Sequence, residues 1–77
     1  MELVFYTTAH CHLCELAEAL LVNTPMHEPV PVDVVDIAQS EALTREYGLR
    51  IPVLRRNDTG AELDWPFTRD QLLSFLL

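Results

Sequence analysis

The sequence predicts an α/β fold in the order β-α-β-α-β-β-α. It should form one domain over residues 1–77, a four-stranded mixed sheet with helices on both faces. Three observations carry this expectation. Short apolar or β-branched runs alternate with segments of helical period. The turn-forming stretch Asn57-Asp58-Thr59-Gly60 joins two of those runs directly, as in a hairpin. The first and last helical segments each have an apolar face, which calls for a sheet between covering layers.

The elements follow in order. Leu3 to Tyr6 is a continuous apolar run, suited to a strand buried on both faces. Thr7 to His10 break it. From about Cys11 to Val22, Leu13, Ala17, Leu20 and Leu21 recur at helical spacing with Leu16 beside them, and Glu15 and Glu18 fall on the other side. Pro25, after Asn23-Thr24, stops this helix because proline cannot continue it. Residues 26–31 form a proline-marked loop. Val32 to Ile37 is rich in β-branched residues and reads as the second strand. It should run parallel to the first through a right-handed crossover. Asp36, with Gln39 three residues on, should cap a helix from near Ala38 to about Tyr47, with Gly48 as its stop. Ile51 to Leu54 is a third strand, with a proline at its start where one is tolerated. Glu62 to Trp65 returns as the fourth. Thr68-Arg69-Asp70-Gln71 is a second capping box, opening a helix with Leu72, Phe75 and Leu76 on one face.

Composition removes several function classes. Apolar residues make up 49% of the chain and charged residues 22%, which is globular and excludes wholesale disorder. Two cysteines cannot make a disulfide-rich scaffold. No apolar run reaches the roughly 18 residues that a spanning helix needs. The start of the chain, Met1 to Tyr6, has no basic region, so a cytoplasmic location is expected. The net charge is −7, and all five basic residues are arginines: Arg45, Arg50, Arg55, Arg56 and Arg69. Such a chain repels phosphate backbones and anionic lipid, so neither nucleic acid nor membrane is an expected partner. Arg50, Arg55 and Arg56 form either a local cationic patch or ordinary solubilising charge.

The chemistry lies in Cys11-His12-Leu13-Cys14, where the first strand hands over to the first helix. Helix geometry puts residues i and i+3 on one face, so the two sulfurs can meet. Cys11 at the helix N-terminus faces unpaired N–H groups and the positive end of the dipole, which stabilise a thiolate. Cys14, one turn in, should be less exposed. Cys11 is therefore the candidate nucleophile and Cys14 the resolving thiol. His10 and His12 flank the pair and are candidate tuning residues. Glu15 and Glu18 carry like charge to a thiolate and oppose it. Helical phase sets Glu18 beside Cys14.

This arrangement resembles the glutaredoxins and, more broadly, the thioredoxin-fold redoxins. The resemblance covers nearly the whole chain and rests on Cys11 and Cys14, the Ile51-Pro52 step and Asp36. It implies a small divergent glutaredoxin-like protein of bacterial type. It also implies a cis Pro52 beside the thiols, with Ile51 offering backbone groups to an extended substrate and Arg50 adjoining them. The chain departs from the family in four places. His12-Leu13 replaces Pro-Tyr, Thr8 and Ala9 stand where Lys or Arg often precedes the first Cys, Arg50 stands where threonine is common, and Trp65-Pro66-Phe67-Thr68 replaces a Gly-Gly turn that receives glutathione. A Trp and a Pro cannot reproduce a double-glycine turn.

The expected function is thiol-disulfide exchange on protein or low-molecular-weight disulfides, with glutathione or a flavin-dependent reductase as electron donor and no tightly bound cofactor. The rival is a non-enzymatic module of the same fold. It would bind a soft metal such as Cu(I) through Cys11, Cys14 and a flanking histidine, or bind a partner. Structural zinc needs four ligands, and only His27 from a distant loop could complete that set. A third reading uses Arg50, Arg55 and Arg56 for partner binding. The strand-to-helix placement of the cysteines favours redox chemistry, with no metal site assigned.

Overall fold

The structure, a computed structural model, describes residues 1–26 and 28–77; His27 and its ligand reading lie outside them. The strands are β1 (Leu3–Thr7), β2 (Val32–Asp36), β3 (Val53–Arg56) and β4 (Glu62–Asp64). The helices are α1 (His12–Asn23), α2 (Glu41–Tyr47) and α3 (Arg69–Phe75). The sheet order is β2-β1-β3-β4. β1 and β2 are parallel, and the β1–β3 and β3–β4 pairs are antiparallel. The predicted topology, mixed sheet and covering helices are all present.

The register explains why β1 is apolar throughout. Phe5 lies between Val34 and Leu54, and Tyr6 between Val35 and Val53. Alternate side chains face opposite layers. Phe5 and Leu54 pack with Ala17 and Leu21 of α1, Phe67, and Leu72 of α3. On the other face, Tyr6 and Val53 pack with Ile37 and Tyr47. Leu3, Phe5, Val53, Leu54 and Leu72 are fully buried. Phe75 and Leu76 pack against the same layer as Leu72, so the C-terminal apolar face covers the sheet.

Several boundaries differ from expectation, each for a local reason. The helix expected over 38–47 is two pieces. Asp36 caps only a 3₁₀ turn, Ile37–Gln39, by accepting from the Ala38 N–H. Ser40 is extended and caps α2 itself, accepting from the Leu43 N–H at 3.3 Å. β3 starts at Val53 rather than Ile51. The Ile51 N–H is bonded to the Tyr47 carbonyl and Pro52 has no N–H, so the ladder begins two residues later. β4 ends at Asp64, and β2 at Asp36. α1 buries Cys14, Ala17 and Leu21, whereas Leu13 and Leu16 are exposed. Ala17 and Leu21 are buried and Leu20 packs against them as expected, and at the start of the helix Cys14 takes the buried place expected of Leu13. Gly48 does end α2, but in the right-handed helical region at φ −55°, not as a left-handed cap.

The predicted capping box at α3 is present in both halves. The Thr68 hydroxyl accepts from the Gln71 N–H, and the Gln71 side chain accepts from the Thr68 N–H. No helix among the described residues is long and apolar enough to cross a membrane.

Candidate active site: the Cys11–Cys14 pair

Cys11 is the N-cap of α1. Its backbone is extended, its sulfur accepts from the Cys14 N–H at 3.1 Å, and its carbonyl accepts from the Glu15 N–H at 3.1 Å. The sulfur therefore occupies the place of a capping oxygen and satisfies one of the helix's orphan donors. Cys11 and Cys14 are disulfide-bonded, with Cα atoms 5.2 Å apart, inside the usual range for a bridge. Cys11 is half-buried and Cys14 is 3% exposed, the asymmetry expected of a nucleophile and a resolving thiol.

The approach to Cys11 bends sharply. His10 sits at φ +58°, in the left-handed region that few non-glycine residues enter. Just before it, the Thr8 hydroxyl donates to Asp36 at 3.1 Å and ties this loop to the end of β2. His10 and His12 are both exposed. His12 Nδ1 lies 3.7 Å from the Glu15 carboxylate on the surface of α1.

Ile51 and Pro52 lie at the same end of the sheet as the disulfide. Cys11 follows the C-terminal end of β1, and Pro52 precedes β3, which runs antiparallel to β1 with Val53 opposite Tyr6. The Ile51–Pro52 peptide is cis, as the resemblance implied. The Trp65–Pro66 peptide is also cis, which nothing in the sequence reading anticipated. The two segments are joined through the Trp65 N–H, which donates to the Pro52 carbonyl at 3.2 Å. The Ile51 N–H is spent on the Tyr47 carbonyl at 3.0 Å. Among the described residues no backbone hydrogen bond ends on the Ile51 carbonyl, which leaves that group to offer.

Arg50 is engaged on several sides. Its Nε and Nη2 grip both oxygens of Asp64 at 2.9 and 2.8 Å, and Nη2 also reaches Glu62 at 2.9 Å. Glu46 is 3.6 Å away, and the guanidinium lies 5.1 Å above the Tyr47 ring. Hydrogen bonds from Arg50 hold the Asp64 carboxyl below its usual range. Glu62 is held down first by the Tyr47 hydroxyl, which donates to it, and then by Arg50. Burial, followed by that hydrogen bond to Glu62, pushes the Tyr47 phenol up. Tyr47 stacks on Tyr6 with ring centroids 4.1 Å apart. This cluster was missed because its partners come from separate elements; the two carboxylates Glu62 and Asp64, alternating about Leu63 on one strand, were the available signal.

Of the three clustered arginines, Arg50 and Arg55 both neighbour Glu62, whereas Arg56 has other partners. Arg56 pairs with Asp58 and donates to the Phe75 and Leu77 carbonyls. Arg55 stands opposite Glu62 across the β3–β4 ladder, with its Nε buried and unpartnered. Among the described residues no group of three or more His, Cys, Asp or Glu side chains converges as a metal site requires.

Comparison with known proteins agrees with this geometry. The X-ray structure of the structural-genomics target protein XcR50 from X. campestris is 39% identical, with a TM-score of 0.83 over 96% of this chain and 93% of that one. The solution structure of Ne2328 from Nitrosomonas europaea is 32% identical, with a TM-score of 0.78 over 96% of this chain and 88% of that one. No curated protein matches the chain. Residues 2–77 match the family described as "Glutaredoxin-like domain (DUF836)". A thioredoxin-like fold, a cysteine pair at a helix N-terminus and a family match over nearly every residue place this chain in the glutaredoxin-like domain family.

Proposed function

We propose that the protein is a thiol-disulfide oxidoreductase whose working dithiol is Cys11 and Cys14. The observation that carries this reading is the asymmetry of the pair, a half-buried Cys11 capping α1 and a buried Cys14 one turn below it. In the reduced protein the Cys11 thiolate keeps its N–H donor and the helix dipole, both of which favour the anion. It attacks one sulfur of a substrate disulfide, whose S–S bond breaks and releases a thiolate. Cys14 then attacks the Cys11 sulfur, freeing the second substrate thiol and closing the internal disulfide. Two electrons pass to the substrate. Glutathione or a flavin-dependent reductase returns them, and no tightly bound cofactor is involved.

Ile51 and Pro52 form the step that receives the substrate chain, with the Ile51 carbonyl as its acceptor. Arg50, expected beside them in substrate binding, has its fork on Asp64 and Glu62, and its part in this reading is to hold the step in place. His10 and His12 tune the thiolate. The substrate is a protein or small disulfide, and the expected setting is the cytoplasm.

Intact-mass spectrometry across a glutathione redox series tests this. The wild type should lose two hydrogens cooperatively, as two protons and two electrons passed to glutathione disulfide, and Cys14→Ser should gain one mixed disulfide on Cys11. Thiols that stay reduced throughout, with a metal on the native mass, would instead establish a metal-binding module.

A further inference from the structure

We infer that the Cys11–Cys14 site selects disulfides flanked by positive charge, as in a basic polypeptide, over anionic ones such as glutathione disulfide. This rests on the redox reading above and names its substrate class. Carboxylates surround the pair on two sides. On α1, Glu15 is bonded through its N–H to the Cys11 carbonyl and so sits one turn from Cys11, and Glu18 sits one turn from Cys14. One turn is about 5.4 Å along the axis, inside the roughly 10 Å screening length at 0.1 M salt. The basic side chain of this helix is His12, 3.7 Å from Glu15. Neutral, it leaves both carboxylates uncompensated; protonated, it offsets one of them. Behind the loop, Asp36 adds a third carboxylate, held by Thr8 at 3.1 Å.

The opposite side carries the decisive feature. Arg50 immediately precedes Ile51 and Pro52, where a guanidinium would be well placed to read a substrate carboxylate. Its Nε and Nη2 are already taken by Asp64 and Glu62, and Glu46 is within 3.6 Å. Arg55, opposite Glu62 across the β3–β4 ladder, is the second cation here, so three carboxylates face two guanidinium groups and the flank keeps a net negative charge. An incoming carboxylate finds the fork occupied and excess charge of its own sign; an ammonium or guanidinium finds acceptors on both sides. The protein as a whole, at −7, adds to the same field. Glutathione disulfide, whose carboxylates outnumber its amines, is disfavoured at long range as well as at contact. A polypeptide fits better than a small amine because Leu13 and Leu16, both exposed, place apolar surface on the same helix as Cys11.

The test uses reduced full-length protein in single turnover. The probes are two peptide disulfides, identical except for flanking lysines or flanking glutamates, together with glutathione disulfide. Each rate is divided by that of the same disulfide with dithiothreitol, a neutral dithiol. Near 0.01 M salt, where screening reaches about 30 Å, the lysine probe should react about 3- to 10-fold faster than the glutamate probe on this scale. The gap should close near 1 M salt and narrow in the exposed double variant E15Q/E18Q. Equal scaled rates at low salt, or a faster reaction with the glutamate probe or glutathione disulfide, would overturn the charge selection and leave the oxidoreductase reading standing. Failure of all three probes to oxidise the protein would remove both.

Discussion

Arg50 and Asp64 meet in a two-point contact, Nε and Nη2 of one against both carboxylate oxygens of the other. The pair ties the segment before Pro52 to β4, and its planar geometry suits arginine and no other cation. Asp64 is held below its ordinary value of 3.8 by Arg50, and Glu62 below its ordinary 4.5 by Tyr47 and Arg50. A depressed carboxyl contributes stability fully above its unfolded value and loses it as pH falls through the lower folded one. The side chains are 31% and 45% exposed, so solvent screens much of the gain. Asp64→Asn should cost about 0.5–1.5 kcal/mol at pH 7. In urea titrations the gap between wild type and variant should shrink as pH falls below the ordinary value of 3.8 and close once Asp64 is protonated in the folded protein; a gap of the same size at both ends would show that the charge plays no part.

Tyr47 joins this cluster to the core by its ring and to Glu62 by its hydroxyl. Tyr47→Phe keeps the stack on Tyr6 and the surface under Arg50, and removes only the donor. The expected loss is about 1 kcal/mol, the net worth of one hydrogen bond. The Tyr47 hydroxyl is the largest influence holding the Glu62 carboxyl down. Its removal should therefore move the Glu62 titration upward, visible in side-chain carbonyl NMR shifts. An unmoved Glu62 would mean that Arg50 alone holds it.

His12 touches Glu15 on the open surface, with both side chains more than three-quarters exposed. His12 also follows Cys11 directly in the chain. A cation favours the thiolate, hence the reduced form, and raises the potential. His12→Ala should then lower the Cys11–Cys14 potential, by less than about 30 mV because water screens the pair. Equilibration with glutathione buffers reads this directly. A rise in potential would show the opposite sign of influence, and no change would confine His12 to the helix surface.

Local signals in the sequence proved sufficient for most of the fold. The apolar run at Leu3–Tyr6, the Thr68–Gln71 box and the Asn57–Gly60 turn each describe chemistry complete within a few residues. The cysteine pair and the Ile51–Pro52 step were legible for the same reason. What stayed hidden depends on partners far along the chain or on two local signals in competition. Asp36 and Ser40 are both good caps, and the chain uses both, which splits one expected helix into two pieces. At the start of α1 two side chains compete for one buried place, and the core takes Cys14 and leaves Leu13 outside, a choice that periodicity alone does not make. Arg50 is written beside Ile51 and Pro52, but its partners arrive from β4, and no periodicity announces them.

Gly48 sets two effects of opposite sign against each other. It closes α2 at φ −55°, a conformation any residue adopts, so a glycine there carries an entropic cost. On that ground alone Gly48→Ala should stabilise by about 0.4–1 kcal/mol. The room around it reverses the expectation. The Gly48 N–H donates to the Thr44 carbonyl at 2.8 Å, and a Cβ at residue 48 would overlap that same oxygen. The obstacle is backbone, so it cannot swing aside as a side-chain tip would. Relief requires the end of α2 to unwind or tilt, and that end carries Tyr47, whose carbonyl anchors the N–H groups of both Arg50 and Ile51. Overpacking of this kind costs about 1–3 kcal/mol, which exceeds the entropic gain. Gly48→Ala should therefore be net destabilising by about 1–2 kcal/mol. It should also broaden or shift the amide resonances of Arg50 and Ile51. A variant that melts higher than the wild type, with those two resonances unmoved, would show that the turn yields freely and that Gly48 is not needed for space.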